Sequence, residues 1–172
     1  MSNPVFGIVG WKNSGKTTLT AGLVLELTSR GLRVATLKHA HHAFDIDHEG
    51  TDSFRHRAAG AVEVAIVSSR RWAIIHELND EDEPSLEAML ERLSPCDLVL
   101  VEGFKRAPHP KIECRRTAAR DKGFLAPDDP SVVAIAADHE TDSGDLPWFA
   151  LDDVKAIADF IVSRNGLLKG AQ

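Results

Sequence analysis

Residues 10–17, with the sequence GWKNSGKT, constrain the fold of this chain more than any other stretch. They match the pattern G-x-x-x-x-G-K-[S/T] at every defined position. The apolar, β-forming run Val5–Val9 precedes them, and apolar residues recur after them at spacings of three and four, which is typical of one face of a helix. A strand, a glycine-containing loop and a helix in this order are the context that a phosphate-binding loop requires.

This loop predicts a site for a nucleoside triphosphate. Its backbone N–H groups and the N-terminus of the following helix converge on one point, where they can donate hydrogen bonds to phosphate oxygens. Lys16 would neutralise the β- and γ-phosphates, and the Thr17 hydroxyl would reach Mg²⁺. A chance match in a glycine-containing turn is the alternative, and the flanking elements argue against it. The predicted nucleotide-binding residues of the loop are Gly10, Asn13, Ser14, Gly15, Lys16, Thr17 and Thr18.

The rest of the chain alternates strand-like and helix-like segments, which predicts an α/β fold with a mainly parallel sheet flanked by helices. Strands are predicted at residues 33–37, 97–101, 111–115 and 132–137. Residues 62–67 and 71–78, separated by a short polar turn, predict an inserted β-hairpin. Further helices are predicted after a cap at Asp52 or Ser53, after Pro84, and after a cap at Asp152. We expect residues 1–172 to form one domain.

Two acidic positions are candidates for holding the metal ion of a bound triphosphate. Glu102 follows the predicted strand at 97–101, and an acid at the carboxyl edge of a parallel strand lies in the crevice where ligands bind. We predict that Glu102 helps to place Mg²⁺ or water and is catalytic together with Lys16. A merely solvated acid at a strand end is the alternative. Asp47 can contribute to Mg²⁺ binding through water.

The polar segment 38–52 is dense in side chains that bind ligands. Its first residues include Lys38, His39, His41 and His42, and Asp45, Asp47 and His48 follow closely. The spacing matches no defined zinc pattern. Contact with phosphates or a second substrate, a structural polar loop, and a transition-metal site therefore all stay open as interpretations.

Recognition of the base is poorly specified by the sequence. The chain has no N-K-x-D string, which is the guanine-reading signature of small GTPases. Asp138 directly follows the predicted strand at 132–137 and can accept hydrogen bonds from a guanine edge. The same residue can equally cap a loop, and both interpretations stay open.

Composition limits the classes of partner. The chain has 20 Lys and Arg against 26 Asp and Glu, a net charge of −6, which argues against non-specific binding to nucleic acid or to an anionic membrane. No apolar run reaches the ~18 residues of a membrane-spanning helix, so we expect a cytoplasmic protein. Cys96 and Cys114 form no C-x-x-C pair, so neither a disulfide framework nor a cysteine zinc site is predicted.

Taken together, these segments resemble the MobB family, the molybdopterin-guanine dinucleotide biosynthesis proteins B. The phosphate-binding loop alone would be unspecific, but its combination in this order with a lysine-histidine segment and a Val-Glu-Gly-Phe-Lys string is specific. The resemblance covers nearly the whole chain. Its segments are residues 10–18, 37–42, Asp45 and Asp47, 50–53, 71–73 and 100–105.

The resemblance implies a GTP-binding protein of the P-loop NTPase superfamily with weak GTPase activity, usually dimeric. It also implies a role in attaching GMP to the molybdenum-bound pterin cofactor, as an assistant to the nucleotidyltransferase MobA. The histidine-rich segment and Lys105 would then face that partner or the pterin. Three alternatives stay open: an ATP-dependent ligase or kinase similar to dethiobiotin synthetase, a metal-delivery GTPase, and an interaction module with a degenerate nucleotide site.

Overall fold

The computed structural model describes residues 3–40, 44–120 and 123–167. The chain divides into two compact units, of which one is Ala40–Ser85 and the other comprises the residues before and after it. In chain order the helices and strands are β1 (Val5–Val9), α1 (Lys16–Ser29), β2 (Val34–Lys38), α2 (Asp52–Ala58), β3 (Glu63–Val67), β4 (Trp72–His76), α3 (Leu86–Glu91), β5 (Leu98–Glu102), β6 (Lys111–Arg115), β7 (Val132–Ala137), β8 (Trp148–Ala150) and α4 (Val154–Arg164).

The larger unit is built on a six-stranded sheet. Its strand order is β2-β5-β1-β6-β7-β8, and every neighbouring pair is parallel. The predicted α/β fold with a mainly parallel sheet is therefore confirmed. Because β1 lies between β5 and β6, the loop that follows β1 emerges near the middle of the sheet.

Helices cover both faces of this sheet, which explains the nearly continuous apolar character of β1 and β5. On one face, α1 and α4 pack against alternate residues of these strands, and on the other face α3 packs against the residues between them. The first core includes Phe6, Ile8, Leu19, Leu23, Leu27, Leu98, Leu100, Ile157 and Ile161, and the second includes Leu37, Leu86, Val99 and Val101.

The carboxyl ends of the parallel strands place the polar candidates at one edge of the sheet. Residues 10–15 follow β1, Lys38 ends β2 and Glu102 ends β5, while Arg116 follows β6 and Asp138 follows β7. This edge is where ligands bind in open α/β sheets.

The smaller unit contains α2 and an antiparallel hairpin. In the hairpin, Val64 pairs with Ile75 and Val67 with Trp72, which confirms the predicted inserted hairpin. Helix α2 is capped by Thr51, whose hydroxyl accepts a hydrogen bond from the backbone N–H of Phe54. The predicted cap at Asp52 or Ser53 was wrong by one or two positions.

Two further elements differ from the sequence-based expectations. Helix α4 is capped by Asp153, not Asp152, and the Asp153 side chain accepts from the backbone N–H of Ala156 at 3.1 Å. Strand β8 was not predicted, because a three-residue strand directly after Pro147 carries no usable periodicity. Within the described residues, no helix has the length and apolar character needed to cross a membrane.

Candidate nucleotide-binding site

The loop between β1 and α1 has the backbone geometry of an anion cradle. Gly10, Asn13 and Gly15 all have positive φ angles, of +144°, 67° and +90°. A Cβ atom at Gly10 would lie 2.5 Å from the carbonyl oxygen of Cys114, so no larger residue fits there without a shift. Gly15 caps α1, and the first-turn N–H groups of that helix have no acceptor within the helix. These donors can bind phosphate oxygens.

Lys16 lies across this loop. Its Nζ donates a hydrogen bond of 2.8 Å to the carbonyl oxygen of Trp11. Burial lowers the pKa of the Lys16 ammonium, nearby Lys38 acts in the same direction, and Glu102 opposes the shift. A partly desolvated ammonium gains more from an added anion than an exposed one does, because less solvent screens the attraction. Lys16 therefore lies beside the loop with a partly desolvated charge, and its contact with phosphate stays a prediction.

Thr17 and Glu102 meet at the end of β5. The Thr17 hydroxyl donates to Oε1 of Glu102 at 2.9 Å, and the Lys38 ammonium lies 3.1 Å from the same oxygen. A hydroxyl and a carboxylate are the hard oxygen donors that Mg²⁺ prefers, so both residues fit a magnesium ion. Bound there, Mg²⁺ would neutralise charge on the phosphates of a nucleotide.

Two cavities flank the loop and share part of their lining. One of about 460 Å³ is lined by residues 13–18 together with Arg116 and Ala118. The other, of about 750 Å³, is lined by the first turns of α1, the segment 137–141, Trp148 and residues 150–152. Gly15, Thr18 and Arg116 line both cavities, so the two cavities lie next to each other along the loop. Their volumes lie within the range of roughly 300–1,000 Å³ that is typical of small-molecule sites.

Asp138 lies in the wall of the larger cavity and also caps a loop. Its Oδ1 accepts hydrogen bonds from the backbone N–H of Thr117 at 2.8 Å and pairs with the His139 ring at 2.7 Å. Burial acts to raise the pKa of Asp138, but the hydrogen bonds from His139 and Thr117 outweigh it and lower the pKa below its usual value. Asp138 therefore remains an ionised acceptor at neutral pH, and capping does not exclude contact with a base.

Strand β6 carries a buried ion pair that the sequence analysis missed. The Glu113 carboxylate accepts from Arg115 at 2.9 Å and from the backbone N–H groups of Leu125 and Ala126 at 2.9 and 3.1 Å. Arg115 also donates to the Thr141 hydroxyl at 3.2 Å, in the segment that lines the larger cavity. The alternation Lys111, Glu113, Arg115 was the available signal, because residues at i, i+2 and i+4 of a strand share one face.

The remaining predicted residues occupy separate surroundings. The His39 ring packs against Phe104 in a tilted arrangement with centroids 4.8 Å apart, and the Lys105 ammonium lies 3.8 Å above the Trp11 ring. In the smaller unit, Asp47 is buried and its Oδ1 accepts from Arg57 at 2.7 Å. The role of Asp47 at magnesium stays a prediction.

The histidine segment, for which a transition-metal site stayed open as one interpretation, lies only partly within the described residues. His41 and His42 lie outside the described residues. Among the residues that the structure describes, no three His, Cys, Asp or Glu side chains form a group suited to a metal ion.

Comparison with known proteins gives consistent matches. The sequence model of a family described as molybdopterin guanine dinucleotide synthesis protein B matches residues 5–138. The molybdopterin-guanine dinucleotide biosynthesis adapter protein of Escherichia coli (strain K12) is 37% identical over 161 residues, which cover 92% of this chain and 91% of that protein. The adapter protein of Haemophilus influenzae is 38% identical over 160 residues, with 92% of this chain and 87% of that protein covered.

Solved structures agree with these sequence matches. A crystal structure of molybdopterin-guanine biosynthesis protein B superposes with a TM-score of 0.71 and 32% identity, covering 93% of this chain and 99% of that one. The crystal structure of Bacillus subtilis MobB gives a TM-score of 0.74 at 29% identity, covering 98% of this chain and 99% of that one. The similarity thus extends over both the fold and almost the full length of these proteins.

Proposed function

Because the chain belongs to the MobB family of molybdopterin guanine dinucleotide synthesis proteins, we propose that it is a GTP-binding accessory protein of molybdenum cofactor biosynthesis. In this proposal, residues 1–172 act as one cytoplasmic P-loop domain that binds Mg²⁺ and GTP. It assists a MobA-type nucleotidyltransferase that acts on a molybdopterin intermediate. Lys16 and the loop hold the phosphates, Thr17 and Glu102 hold Mg²⁺, and Asp138 reads the base.

The observation that carries the proposal is that the two cavities are adjacent and share Gly15, Thr18 and Arg116 in their lining. The smaller cavity is lined by the anion cradle, and the larger one has the ionised Asp138 in its wall. Phosphates in the first cavity would leave the base in the second. A carboxylate can accept hydrogen bonds from the N–H groups of a guanine edge, which an adenine edge does not present in the same arrangement.

We expect the protein to bind Mg²⁺–GTP more tightly than Mg²⁺–ATP, and Asp138→Asn to remove this preference. Asparagine keeps one oxygen that can accept from Thr117, so the cap survives, while the negative charge is lost. Loss of a hydrogen bond to a charged group costs about 1.5–3 kcal/mol, which corresponds to a fall of about 10- to 100-fold in GTP affinity with ATP affinity unchanged. Calorimetric titration of both proteins with both nucleotides measures this.

Asp142→Asn is the matched control, because it removes one carboxylate from the same surface segment without changing the wall of the larger cavity. Equal loss of GTP and ATP affinity in Asp138→Asn would contradict recognition of the base by Asp138 and leave only its role in capping the loop. A wild-type preference for ATP would contradict the choice of GTP itself.

Hydrolysis is expected to be slow. In fast GTPases a glutamine orients the attacking water. The only glutamine of this sequence is Gln172. We therefore assign the bound GTP mainly to the accessory role, with weak GTPase activity at most.

We propose further that the protein forms a homodimer, as the family resemblance implies, and the hairpin offers a surface for it. Val67, Trp72 and Ile74 lie on one face of β3 and β4 and are 81%, 68% and 50% exposed. A two-stranded hairpin is marginally stable on its own, and such an apolar face needs a cover. The same face of a second copy of the chain would cover it, because a two-fold symmetric interface pairs one surface patch with itself.

Trp72→Lys is expected to convert the dimer into a monomer, because the pair of symmetry-related lysines would place like charges in an apolar contact. Size-exclusion chromatography with light scattering measures the mass directly. Leu25→Lys is the matched control, since Leu25 is a 73% exposed apolar residue on α1. If Trp72→Lys keeps the mass of a dimer, this face is not the interface.

The alternative functions are less favoured. The relatives that match over most of the chain are named adapter proteins, and none of those reported above is named a ligase or a kinase. The proposed partner is tested separately, by measuring association with a MobA-type protein in the presence and absence of GTP.

A further inference from the structure

Lys38 contacts the same two side chains that fit a magnesium ion. Strands β2 and β5 are parallel neighbours, and Lys38 is in register with Glu102. Because paired residues of neighbouring strands extend from the same face of the sheet, the two side chains lie side by side. The Lys38 Nζ is 3.1 Å from Oε1 of Glu102 and 3.5 Å from Oγ1 of Thr17.

Glu102 needs a positive partner at this place. Its side chain is only 10% exposed, and a carboxylate so far from solvent is costly unless it is paired and hydrogen-bonded. Thr17 supplies one hydrogen bond to Oε1, and Lys38 supplies the charge to the same atom. The Lys38 side chain is 57% exposed, so its ammonium is already partly hydrated and solvent screens the attraction that it loses on leaving the pair.

We propose that Lys38 is the internal counter-ion of the magnesium site: it neutralises Glu102 until Mg²⁺ enters with the nucleotide, and then gives up this carboxylate to the metal. The inference rests on the proposed binding of Mg²⁺–GTP. Loading of the site is then an exchange of one cation for another. Lys38 competes with Mg²⁺ for Oε1 of Glu102, and it keeps the Thr17–Glu102 pair assembled before nucleotide binds. Lys38 is thus a positioning residue.

If Lys38 competes with Mg²⁺, removing Lys38 should change the Mg²⁺ affinity in the opposite direction to removing a lysine that binds phosphate. Removing the ammonium in Lys38→Met should tighten Mg²⁺ binding to the protein saturated with a non-hydrolysable GTP analogue. Because Lys38 is more than half exposed and solvent screens its charge, we expect a modest decrease of about 3- to 10-fold in the Mg²⁺ dissociation constant. Lys38→Arg keeps the charge and should keep the wild-type constant.

The experiment titrates Mg²⁺ into the full chain in the presence of the GTP analogue, with calorimetry as the readout. Lys155→Met is the matched control, because it removes one exposed lysine charge on α4. A second readout is the thermal midpoint without nucleotide. Lys38→Met leaves Glu102 without its counter-ion and should lower the midpoint by about 2–5 °C relative to the wild type, and this difference should disappear when Mg²⁺ and the GTP analogue are added together.

The outcomes separate this inference from the proposed function. If the wild-type protein binds no GTP analogue at any Mg²⁺ concentration, the proposed function fails. If it binds the analogue, but Lys38→Met leaves Mg²⁺ affinity unchanged or weakens it, the counter-ion role is overturned. A large loss of analogue affinity in EDTA for Lys38→Met would likewise overturn it, in favour of direct contact with phosphate.

Discussion

Lys16→Ala is expected to lower the affinity for Mg²⁺–GTP by at least about 100-fold while the protein remains folded. The Lys16 ammonium is the charged group that lies across the anion cradle, and hydrogen bonds between charged groups and phosphate are about twice as strong as neutral ones. In this structure its bond is to the carbonyl oxygen of Trp11. Losing that bond costs only about 0.5–1.5 kcal/mol of the free energy of unfolding.

Two measurements separate binding from folding in this variant. Calorimetric titration gives the affinity, and thermal unfolding followed by circular dichroism gives the stability. Lys155→Ala is the control for loss of one lysine charge and should bind Mg²⁺–GTP as the wild type does. Unchanged affinity of Lys16→Ala would contradict the assignment of the loop to phosphate binding.

Most of the larger unit could be predicted because its signals are local. The bounds of β1, β6 and β7 agree with the sequence-based expectations at both ends. Each of these strands is one continuous segment, and the residue pattern typical of a strand stops at both of its ends. The helix caps were less certain because neighbouring residues compete: Thr51, Asp52 and Ser53 are all good caps, and so are Asp152 and Asp153.

The residues of the candidate site could be predicted only where one continuous segment contains them. The loop at residues 10–17 is such a segment, and Glu102 follows from its place at the end of a strand. The position of Arg116 in the cavity wall depends on which strands become neighbours, and so does the pairing of Lys38 with Glu102. Strand order is set by packing across the whole sheet. The spacing of residues in the sequence does not show that β2 and β5 are neighbours, because 59 residues lie between Lys38 and Leu98.

The charges of β6 show a second limit of local patterns. Residues 111–115, with the sequence KIECR, alternate charged and apolar side chains, as a half-exposed strand does. The structure buries all five residues, because β6 lies inside the sheet between β1 and β7. Ion pairs compensate for this burial, so the alternation marks a polar network instead of a solvent-facing side.

Glu113→Ala is expected to be the most destabilising of the substitutions considered, at about 3–5 kcal/mol of the free energy of unfolding. Removing one partner of a buried ion pair leaves the other charge uncompensated. Here Arg115, which is 6% exposed, would lose its carboxylate, and the N–H groups of Leu125 and Ala126 would lose their acceptor. Urea unfolding measures the loss directly.

Asp159→Ala is the control for an exposed ion pair. Asp159 pairs with Arg30 but is 61% exposed, so its loss should cost less than about 1 kcal/mol.

The double variant Glu113→Ala/Arg115→Ala should be less destabilised than the sum of the two single changes, because it leaves no unpaired charge. Additive losses, or a cost below about 1 kcal/mol for Glu113→Ala, would mean that the pair does not hold segments 125–126 and 141–142 against β6. Since Thr141 and Arg116 line the larger cavity, a β6 that releases these segments would also loosen the wall of the proposed base site.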